Sequence, residues 1–542
     1  VTGVQTCALP ICGGNFLFEI NSLLGAPGVN WDLLTVTNTL TITANSGNKF
    51  NILFDTMGTN AANWNASLDY SILFTTFTNI SGFAADKFFV NSAAFSNAPG
   101  STWSVSQSGN SLYLNYSAFT LTPDFVWGFS NGEWGVAGNW TNNATPSSSS
   151  TLVLQFGTNT LTAFTATNNG TVGTLNALLL NSATGGTNAL TGTALTFAGS
   201  NAVIRQNNSG AFIISNQVIL ATNLTFGGVG SGLVMLHSNV TGTGAIGKAG
   251  PALNVVLTGS NTFVGGVFVN AGTLTIANPY GIGTNALTIS NGTVVANAAA
   301  GYTAGNGWSN QAILLTGVSS LWTNSGAFTL GAAGGQNNAV TISNFAQLVT
   351  VGTPIIGSAA SSNLLVILGG GGTNSIWNAG AADLVIGNGR ATGNVVRIDG
   401  LGRSGSAILT NVGAVRVGGQ NSPVGSFGNS LIITNGGLLM RGPGTADSYI
   451  GDNGSGNFVK IIGGTSLGVT SVWDNGGAKR FVIGNNGGQS NTLVVDGNGN
   501  VRGAVLTNLT STDANGALTV GNTASSNNRK AILVNNFYYV AH

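Results

Sequence analysis

Charged side chains are scarce in this sequence. Of its 542 residues, 15 are Lys or Arg and 14 are Asp or Glu, which gives a net charge of +1. No acidic residue lies between Glu133 and Asp383, and the only basic residues there are Arg205 and Lys248. Nucleic-acid binding needs clustered Lys and Arg to neutralise phosphates. We therefore expect no nucleic-acid partner.

Cysteine, histidine and long apolar runs are also rare or missing. The two cysteines, Cys7 and Cys12, lie near the start of the sequence, so we expect no disulfide and no thiolate metal site in the rest of the chain. His237 is the only internal histidine. No apolar run reaches the length of about 18 residues that a membrane-spanning helix needs. The sequence predicts no cofactor, no bound metal and no spanning segment.

Glycine is abundant, with 83 copies, and 43% of the residues are hydrophobic. A chain this long and apolar can bury a large core, and its many glycines indicate frequent turns. The 10 prolines follow no Gly-X-Y period, which excludes collagen. The pattern divides the chain into an artefactual leader at 1–12, a β-rich domain at 13–125, and two β-solenoid segments at 126–300 and 301–542.

The last segment contains a repeat of glycine, a polar turn with asparagine, and an aliphatic strand. The six intervals between Gly331 and Gly521 span 190 residues, so one unit averages about 32 residues. The repeated glycines are Gly331, Gly357, Gly387, Gly418, Gly451, Gly484 and Gly521. The asparagines before the strands are Asn338, Asn363, Asn394, Asn429, Asn457, Asn491 and Asn528. We interpret the Asn and Gly residues as left-handed corners between strands.

A helix-free unit of this size cannot bury its own apolar face, but stacked units can. The sequence therefore predicts an all-β protein: a right-handed parallel β-helix, or β-solenoid, preceded by a smaller β-rich domain. The seven strands that follow the asparagines should form one parallel sheet in chain order. Val396 and Ile398 should point inward, while Arg397 and Lys460 should point outward, because a one-residue slip would bury both charges.

One stretch is similar to a known family. It reads Leu257-Thr-Gly-Ser-Asn-Thr-Phe-Val-Gly-Gly266, followed by Asn270-Ala-Gly-Thr-Leu274. This resembles the autotransporter-associated β-strand repeat. Residues 1–12 in turn resemble translated sequencing-adapter read-through, for which reason we leave them out of the fold prediction.

The family resemblance implies a passenger-type scaffold or adhesin, secreted or displayed on the outer membrane of a Gram-negative-type bacterium. Family members carry a secretion signal and share no catalytic residues, so the resemblance implies a protein that is not an enzyme. An extracellular glycan or a host or neighbouring cell surface is the expected partner, and we expect a monomer.

Two sets of tryptophans could stack against sugars. Trp322, Trp377 and Trp473 occupy one position of the repeat, but that position is Leu or Met in other units, which favours the core. Trp127, Trp134 and Trp140 are candidate glycan contacts as well, although a solenoid end must be covered and a cap is the stronger interpretation. A glycan-binding module therefore stays open as an alternative.

A carbohydrate-active β-helix enzyme, either a polysaccharide lyase or a hydrolase, is the second alternative. It would need clustered carboxylates. The available residues are Asp383, Asp399, Asp447, Asp452, Asp474 and Asp496. They occur in six different local contexts, and Arg397 and Asp399 are spaced to form an ordinary surface ion pair. We therefore predict no catalytic residues.

Overall fold

The computed structural model describes most of the chain. The described residues are 4–5, 9–11, 13–23, 25–56, 61–62, 64, 69–97, 103–116, 121–157, 163–183, 185–200, 202–297, 301–370, 374–419, 425–444, 446–464, 469–485, 488–496, 499–508, 517–521 and 532–540. They fall into two compact units. The N-unit is Val1–Val256 with Val267–Thr273, and the C-unit is Leu257–Gly266 with Leu274–His542. No α-helix is present in the described residues; the two helical turns, Ala85–Lys87 and Ala137–Asn139, are 3-10.

The N-unit opens with two small sheets that share one aromatic core. The six-stranded sheet contains Val4–Gln5, Leu9–Ile11, Leu34–Ile42, Tyr70–Ser81, Trp103–Ser108 and Ser111–Tyr116. The three-stranded sheet contains Gly14–Glu19, Phe50–Asp55 and Phe88–Ala94. Phe18, Phe54 and Trp103 pack between them. This is the β-rich region that the alternating sequence predicts.

The remainder of the N-unit consists of stacked rungs whose strands form three parallel rows. The first row contains Phe125–Val126, Val153–Phe156, Ala177–Leu180, Ala202–Gln206, Leu224–Gly227, Ile246–Lys248 and Val267–Val269. The second contains Asn131–Glu133, Thr165–Asn168, Thr187–Gly192, Ala211–Ile214, Val234–Leu236 and Asn254–Leu257. The third contains Thr174–Leu175, Leu195–Phe197, Val218–Leu220 and Val240–Gly242.

The small sheets contact the first row within this unit. Val153, Ala177 and Val203 point away from the interior of the rungs, and they are covered by Tyr70 and Leu121. Asn270 Nδ2 donates a hydrogen bond to the Leu23 carbonyl over 3.1 Å. Whether residues 13–125 fold as a separate domain stays a prediction.

The C-unit also stacks its strands in three rows. Row A contains Leu287–Ser290, Ala312–Thr316, Ala339–Ser343, Leu364–Leu368, Val395–Asp399, Ser430–Thr434, Phe458–Ile462, Thr492–Asp496 and Ala517–Gly521. Row B contains Thr273–Ile276, Thr293–Ala296, Leu321–Asn324, Gln347–Thr350, Ser375–Asn378, Ala407–Val412 and Leu438–Arg441. Row C contains Tyr302–Asn306, Phe328–Ala332, Ile355–Ser358, Leu384–Asn388, Val415–Val417 and Ser448–Asp452. Ser471–Asn485 runs along both rows B and C, pairing with their last strands, and Gly499–Asn508 and Ile532–Val540 follow it.

Row A confirms the predicted register and phase. Its strands are parallel and in register, with Val396 paired to Leu365 on one side and Leu431 on the other. Val396 and Ile398 are fully buried, whereas Arg397 is exposed and Lys460 is half-buried on the opposite face. The parallel rows establish the β-solenoid class; the predicted right hand stays a prediction.

One predicted strand lies elsewhere. Six of the seven strands follow each other in row A, but the seventh place is taken by Ala517–Gly521. Ile532–Val540, which follows Asn528, pairs instead with Gly499–Asn508 in the other sheet. The prediction was wrong there because a second aliphatic strand, Ala-Leu-Thr-Val, precedes it in the same repeat. Asn528 itself lies outside the described residues.

Candidate functional site

The most regular polar feature of the C-unit is a column of asparagines just before the row A strands. Each is fully buried, and from the second member onward each side-chain oxygen accepts two hydrogen bonds from the asparagine one rung earlier. Asn394 Oδ1, for example, accepts from the backbone N–H of Asn363 at 3.0 Å and from its Nδ2 at 2.9 Å. We call this column the asparagine ladder; its members are Asn338, Asn363, Asn394, Asn429, Asn457 and Asn491.

The repeated glycines make room for this ladder. A Cβ atom at Gly357 would overlap the side-chain amide of Asn394, and a Cβ at Gly387 would overlap that of Asn429. The same relation holds for Gly305, Gly331, Gly418 and Gly451 with the ladder amides of their neighbouring rungs. All six glycines have positive φ. The left-handed backbone predicted for the repeated glycines is therefore confirmed at Gly331, Gly357, Gly387, Gly418 and Gly451. Their placement at corners between strands was wrong, because all of these except Gly418 lie inside row C strands.

The interpretation of the ladder asparagines as left-handed corners was wrong. Positive φ falls on the residue before each of them, such as Ser362 at 58° before Asn363 and Gly393 at 65° before Asn394. The side-chain amide, and not the backbone conformation, explains the asparagines. A buried amide needs partners for both its donors and its acceptor, and the neighbouring asparagines supply partners of both kinds. Their regular spacing was visible in the sequence, but the choice between a corner and a ladder depends on which way the side chain points.

A glutamine begins the ladder. The Gln311 backbone N–H donates to Asn338 Oδ1 at 2.9 Å, and its side chain joins the Gly305 N–H to the Asn285 carbonyl. Because these amides bond one another inside the rungs, the ladder stabilises the stack and offers no surface to a ligand.

The repeat tryptophans lie in the core. Trp322, Trp377 and Trp473 have no exposed surface. Trp377 stacks between Leu348 and Leu409 of the neighbouring rungs. The core interpretation is confirmed for these three side chains, and their burial excludes a sugar-stacking platform on them. The Met assigned to the same position was wrong: Met440 is 37% exposed, and Leu439 is the residue that pairs with Leu409 and Trp473.

The three earlier tryptophans form an aromatic cluster in the N-unit. Trp127, Trp134 and Trp140 are 0%, 0% and 2% exposed. Their rings pack on one another and on Phe156, with 5.2 Å between the Trp127 and Trp140 centroids. This burial favours the cap interpretation, because a sugar could stack on these indoles only after the cluster opened. Glycan contact through them stays an untested hypothesis.

Two of the six C-terminal aspartates meet at one arginine. Arg416 Nε lies 3.5 Å from Asp383 Oδ2, and Arg416 Nη1 lies 3.4 Å from Asp452 Oδ2. The guanidinium also lies over the Tyr449 ring, 4.9 Å from its centroid. This cluster is not apparent in the sequence, since Asp383 and Asp452 are far apart in the chain and only row C brings them together.

Arg441 lies beside this cluster and is almost completely buried. Its guanidinium donates to the Gly413 carbonyl at 2.5 Å, to Asn475 Oδ1 at 3.1 Å and to the Ala446 carbonyl at 2.7 Å. Burial lowers the pKa of Arg441, while Asp383 and Asp447 act in the opposite direction. The contacts of both arginines hold neighbouring rungs together.

The predicted ion pair between Arg397 and Asp399 is present. It differs from an ordinary surface pair because the Asp399 carboxylate is only 1% exposed. That carboxylate also accepts hydrogen bonds from the Leu401 N–H at 2.9 Å and from Asn435 Nδ2 at 3.1 Å. These extra donors compensate the burial of the charge.

Lys248 is an unexpected cation inside the N-unit. It has no exposed surface and occupies the inward position that Phe226 and Val269 hold in adjacent rungs. Its ammonium donates to the carbonyls of Gly250 and Ala271. Burial lowers its pKa from 10.5 to about 7. Alignment of its strand with the neighbouring apolar strands is the sequence signal that could have found it.

Among the described residues, no group of three or more His, Cys, Asp or Glu side chains is close enough to hold a metal ion. In the same part of the chain, no helix has the length and apolar character needed to cross a bilayer.

The comparison with curated proteins gives a short match to an adhesin. The chain is 34% identical over 99 residues to the adhesin BmaC autotransporter of Brucella suis biovar 1 (strain 1330). The match covers 18% of this chain and only 3% of that protein. No family model matches the chain, and no solved structure matches it. The match and the parallel rows together support an autotransporter-passenger-like β-solenoid.

Proposed function

We propose that this chain is a non-catalytic scaffold of adhesin type, displayed on or secreted from the surface of a Gram-negative-type bacterium. The observation that carries the proposal is the stacking of parallel rungs with a buried apolar interior in each of the two units, found together with similarity to an autotransporter adhesin. In this role the rungs present their outward side chains to a partner. The partner would be an extracellular glycan or another cell surface, and the scaffold would act as a monomer.

The polar groups of the C-unit support a structural role. The ladder amides bond one another, and Arg416 holds Asp383 and Asp452 in ion pairs. A general acid or base must exchange a proton with a substrate, for which it needs access and a free lone pair or proton. Because the guanidinium of Arg416 already engages both carboxylates, they fit a structural link between rungs better than a catalytic role.

Display of the full chain on a heterologous bacterium tests this role. The chain would be fused to a translocation barrel, and attachment of the cells to epithelial monolayers and to glycoprotein-coated surfaces would be counted. Cells carrying the barrel alone are the control. We expect attachment to rise well above that control; equal attachment on every surface would contradict the adhesive role.

A carbohydrate-active enzyme is the second candidate, and the Asp383–Arg416–Asp452 cluster is the observation that favours it. The test is release of reducing ends or unsaturated products from neutral and acidic polysaccharides. Turnover that disappears in both Asp383→Asn and Asp452→Asn, with folding preserved, would establish the enzyme and end the non-catalytic proposal. We expect no turnover in the wild-type chain.

A further inference from the structure

Two aromatic side chains of the C-unit, Tyr280 and Trp308, lie close together at its surface and not in its core. Trp308 is half-buried, in contrast to the three fully buried repeat tryptophans, and Tyr280 is 42% exposed. Both rings border one shallow hollow, together with Pro279, Thr303, Asn306 and Gln311. None of the core packing described above requires Tyr280 or Trp308 to be aromatic.

The hollow has the size of a single small polar group. Its volume is about 20 Å³, enough for one water molecule or one hydroxyl. Its wall includes Tyr302, which is fully buried and packs against Trp322 at 5.1 Å. A ligand therefore cannot enter as a whole; it would place one group in the hollow and lie across the aromatic rim.

Some polar atoms at the rim are used in hydrogen bonds within the protein, and others can bond a ligand. Asn306 Nδ2 donates to the Tyr280 hydroxyl oxygen over 2.8 Å, so the hydroxyl can direct its own proton towards a ligand. The Gln311 side chain is used by Gly305 and Asn285. Asn306 Oδ1 accepts no protein hydrogen bond among the residues that the structure describes. The rim thus offers one donor and one acceptor beside two aromatic side chains that are partly accessible to solvent.

The surroundings of the rim are uncharged. The C-unit contains no charged residue before Asp383, so the hollow has neither a cation to bind an acidic group nor a carboxylate to bind a basic one. The matching ligand is neutral, has hydroxyl groups on its edge, and has a flat apolar face of C–H groups. A neutral pyranose ring has all three properties.

We propose that Tyr280 and Trp308 form a binding site for a neutral carbohydrate. A pyranose ring packs its C–H face on the exposed aromatic surface and inserts one hydroxyl into the hollow, where Tyr280 and Asn306 bond it. This inference rests on the proposed adhesive function, for which it specifies the class of ligand and the residues that contact it.

The test is ligand-observed saturation-transfer NMR on the full chain. The probes are cellohexaose, laminarihexaose and chitohexaose, with trigalacturonate as the acidic comparison. We expect binding to at least one neutral probe. Trp308→Ala and Tyr280→Ala should each weaken it by at least about tenfold, since a stacked ring and its hydrogen bond are lost. Trp308→Phe should retain most of the affinity.

Phe427→Ala is the matched control, because Phe427 is 51% exposed and lies outside the hollow. It should leave the affinity unchanged. The proposal is overturned if the wild-type chain binds none of the neutral probes, if both alanine variants bind as well as wild type, or if trigalacturonate binds more tightly than every neutral probe.

The attachment assay separates this inference from the proposed function. If the wild-type chain binds no probe, and cells that display Trp308→Ala attach as well as cells that display the wild type, the carbohydrate site is refuted but the adhesive role is not. A wild-type chain that binds a neutral probe through Trp308, but does not promote attachment, would establish the site and contradict the adhesive role.

Discussion

At the residue scale, the repeated glycines are fixed by a neighbour in space as well as by backbone conformation. Gly387 and Gly389 both have positive φ, 77° and 57°. Only Gly387 lies against a ladder amide, that of Asn429, whereas a Cβ at Gly389 would meet nothing within 4 Å. The pair therefore separates the cost of left-handed backbone from the cost of displacing the ladder.

We expect Gly387→Ala to destabilise the chain far more than Gly389→Ala. Gly389→Ala should cost about 1 kcal/mol from backbone strain alone. Gly387→Ala should cost roughly 2 kcal/mol more, because Asn429 must move and its buried partners lose their bonds. Urea unfolding followed by tryptophan fluorescence measures both. Equal losses would show that the ladder does not determine this position.

Lys248 is the residue whose protonation should be visible in stability. Burial lowers its pKa to about 7 in the folded chain from 10.5, the ordinary value expected after unfolding. Above 10.5 the amine is neutral in both states and the stability is highest. As the pH falls from 10.5 to about 7, the unfolded chain binds the proton first, and stability is lost.

Lys248→Met should remove this pH dependence. Between pH 7 and pH 9 the wild type should gain about 2 kcal/mol of unfolding free energy relative to the Met variant, since one pKa unit corresponds to about 1.4 kcal/mol. Other titrating groups are common to both proteins and cancel in the difference. Parallel stability curves for the two proteins would contradict the lowered pKa.

At the scale of the single strand, the same inward position holds side chains of different volume in successive rungs. Trp377 lies in row B between Leu348 and Leu409, and its indole N–H donates to Thr350 Oγ1 at 3.1 Å. The same inward column thus accepts both Trp and Leu. Cores tolerate exchanges between large apolar side chains better than truncation, because the cavity that remains is smaller.

We expect Trp377→Ala to cost about 4 kcal/mol and Trp377→Leu less than half of that. Met440→Ala, in the same row but 37% exposed, is the surface control and should stay within about 0.5 kcal/mol of wild type. Thermal unfolding monitored by circular dichroism ranks the three variants. A Leu variant as unstable as the Ala variant would mean that the indole hydrogen bond, and not volume, determines this site.

The strands could be predicted from the sequence because period-two alternation fixes which face is buried. Val396 and Ile398 alternate with Arg397, and a charge in the wrong phase would be buried. The asparagine ladder could not be predicted in the same way, since a turn residue and a buried amide have the same composition signature. The Asp383–Arg416–Asp452 cluster and the Tyr280–Trp308 rim depend on contacts between rungs, which sequence spacing does not specify.

At the scale of the whole stack, stability should be distributed by contacts between neighbours. Each ladder asparagine bonds mainly to the asparagines immediately before and after it, and each row A strand pairs only with adjacent strands. A stack built in this way behaves as a one-dimensional array, in which a local defect weakens its own rung and the adjoining rungs. Its effect should fade with distance along the C-unit.

Asn394→Ala tests this by hydrogen exchange. The substitution leaves the buried N–H of Asn363 without its acceptor, removes one of the two acceptors of Asn363 Nδ2, and removes a donor to Asn429. Loss of these buried hydrogen bonds should lower the local stability by about 2 kcal/mol. Amide exchange should therefore accelerate roughly 30-fold in Leu364–Leu368, Val395–Asp399 and Ser430–Thr434.

Mass spectrometry of peptides from the variant should show a smaller change in Thr492–Asp496 and none in Val153–Phe156 of the N-unit. Gln336→Ala removes an exposed amide beside the ladder and should leave every peptide unchanged. Acceleration of equal size in every C-unit rung would mean instead that the unit opens as one cooperative body. In that case the ladder would couple all rungs, and not only neighbours, because a defect at Asn394 would have to be transmitted through bonds that it leaves intact.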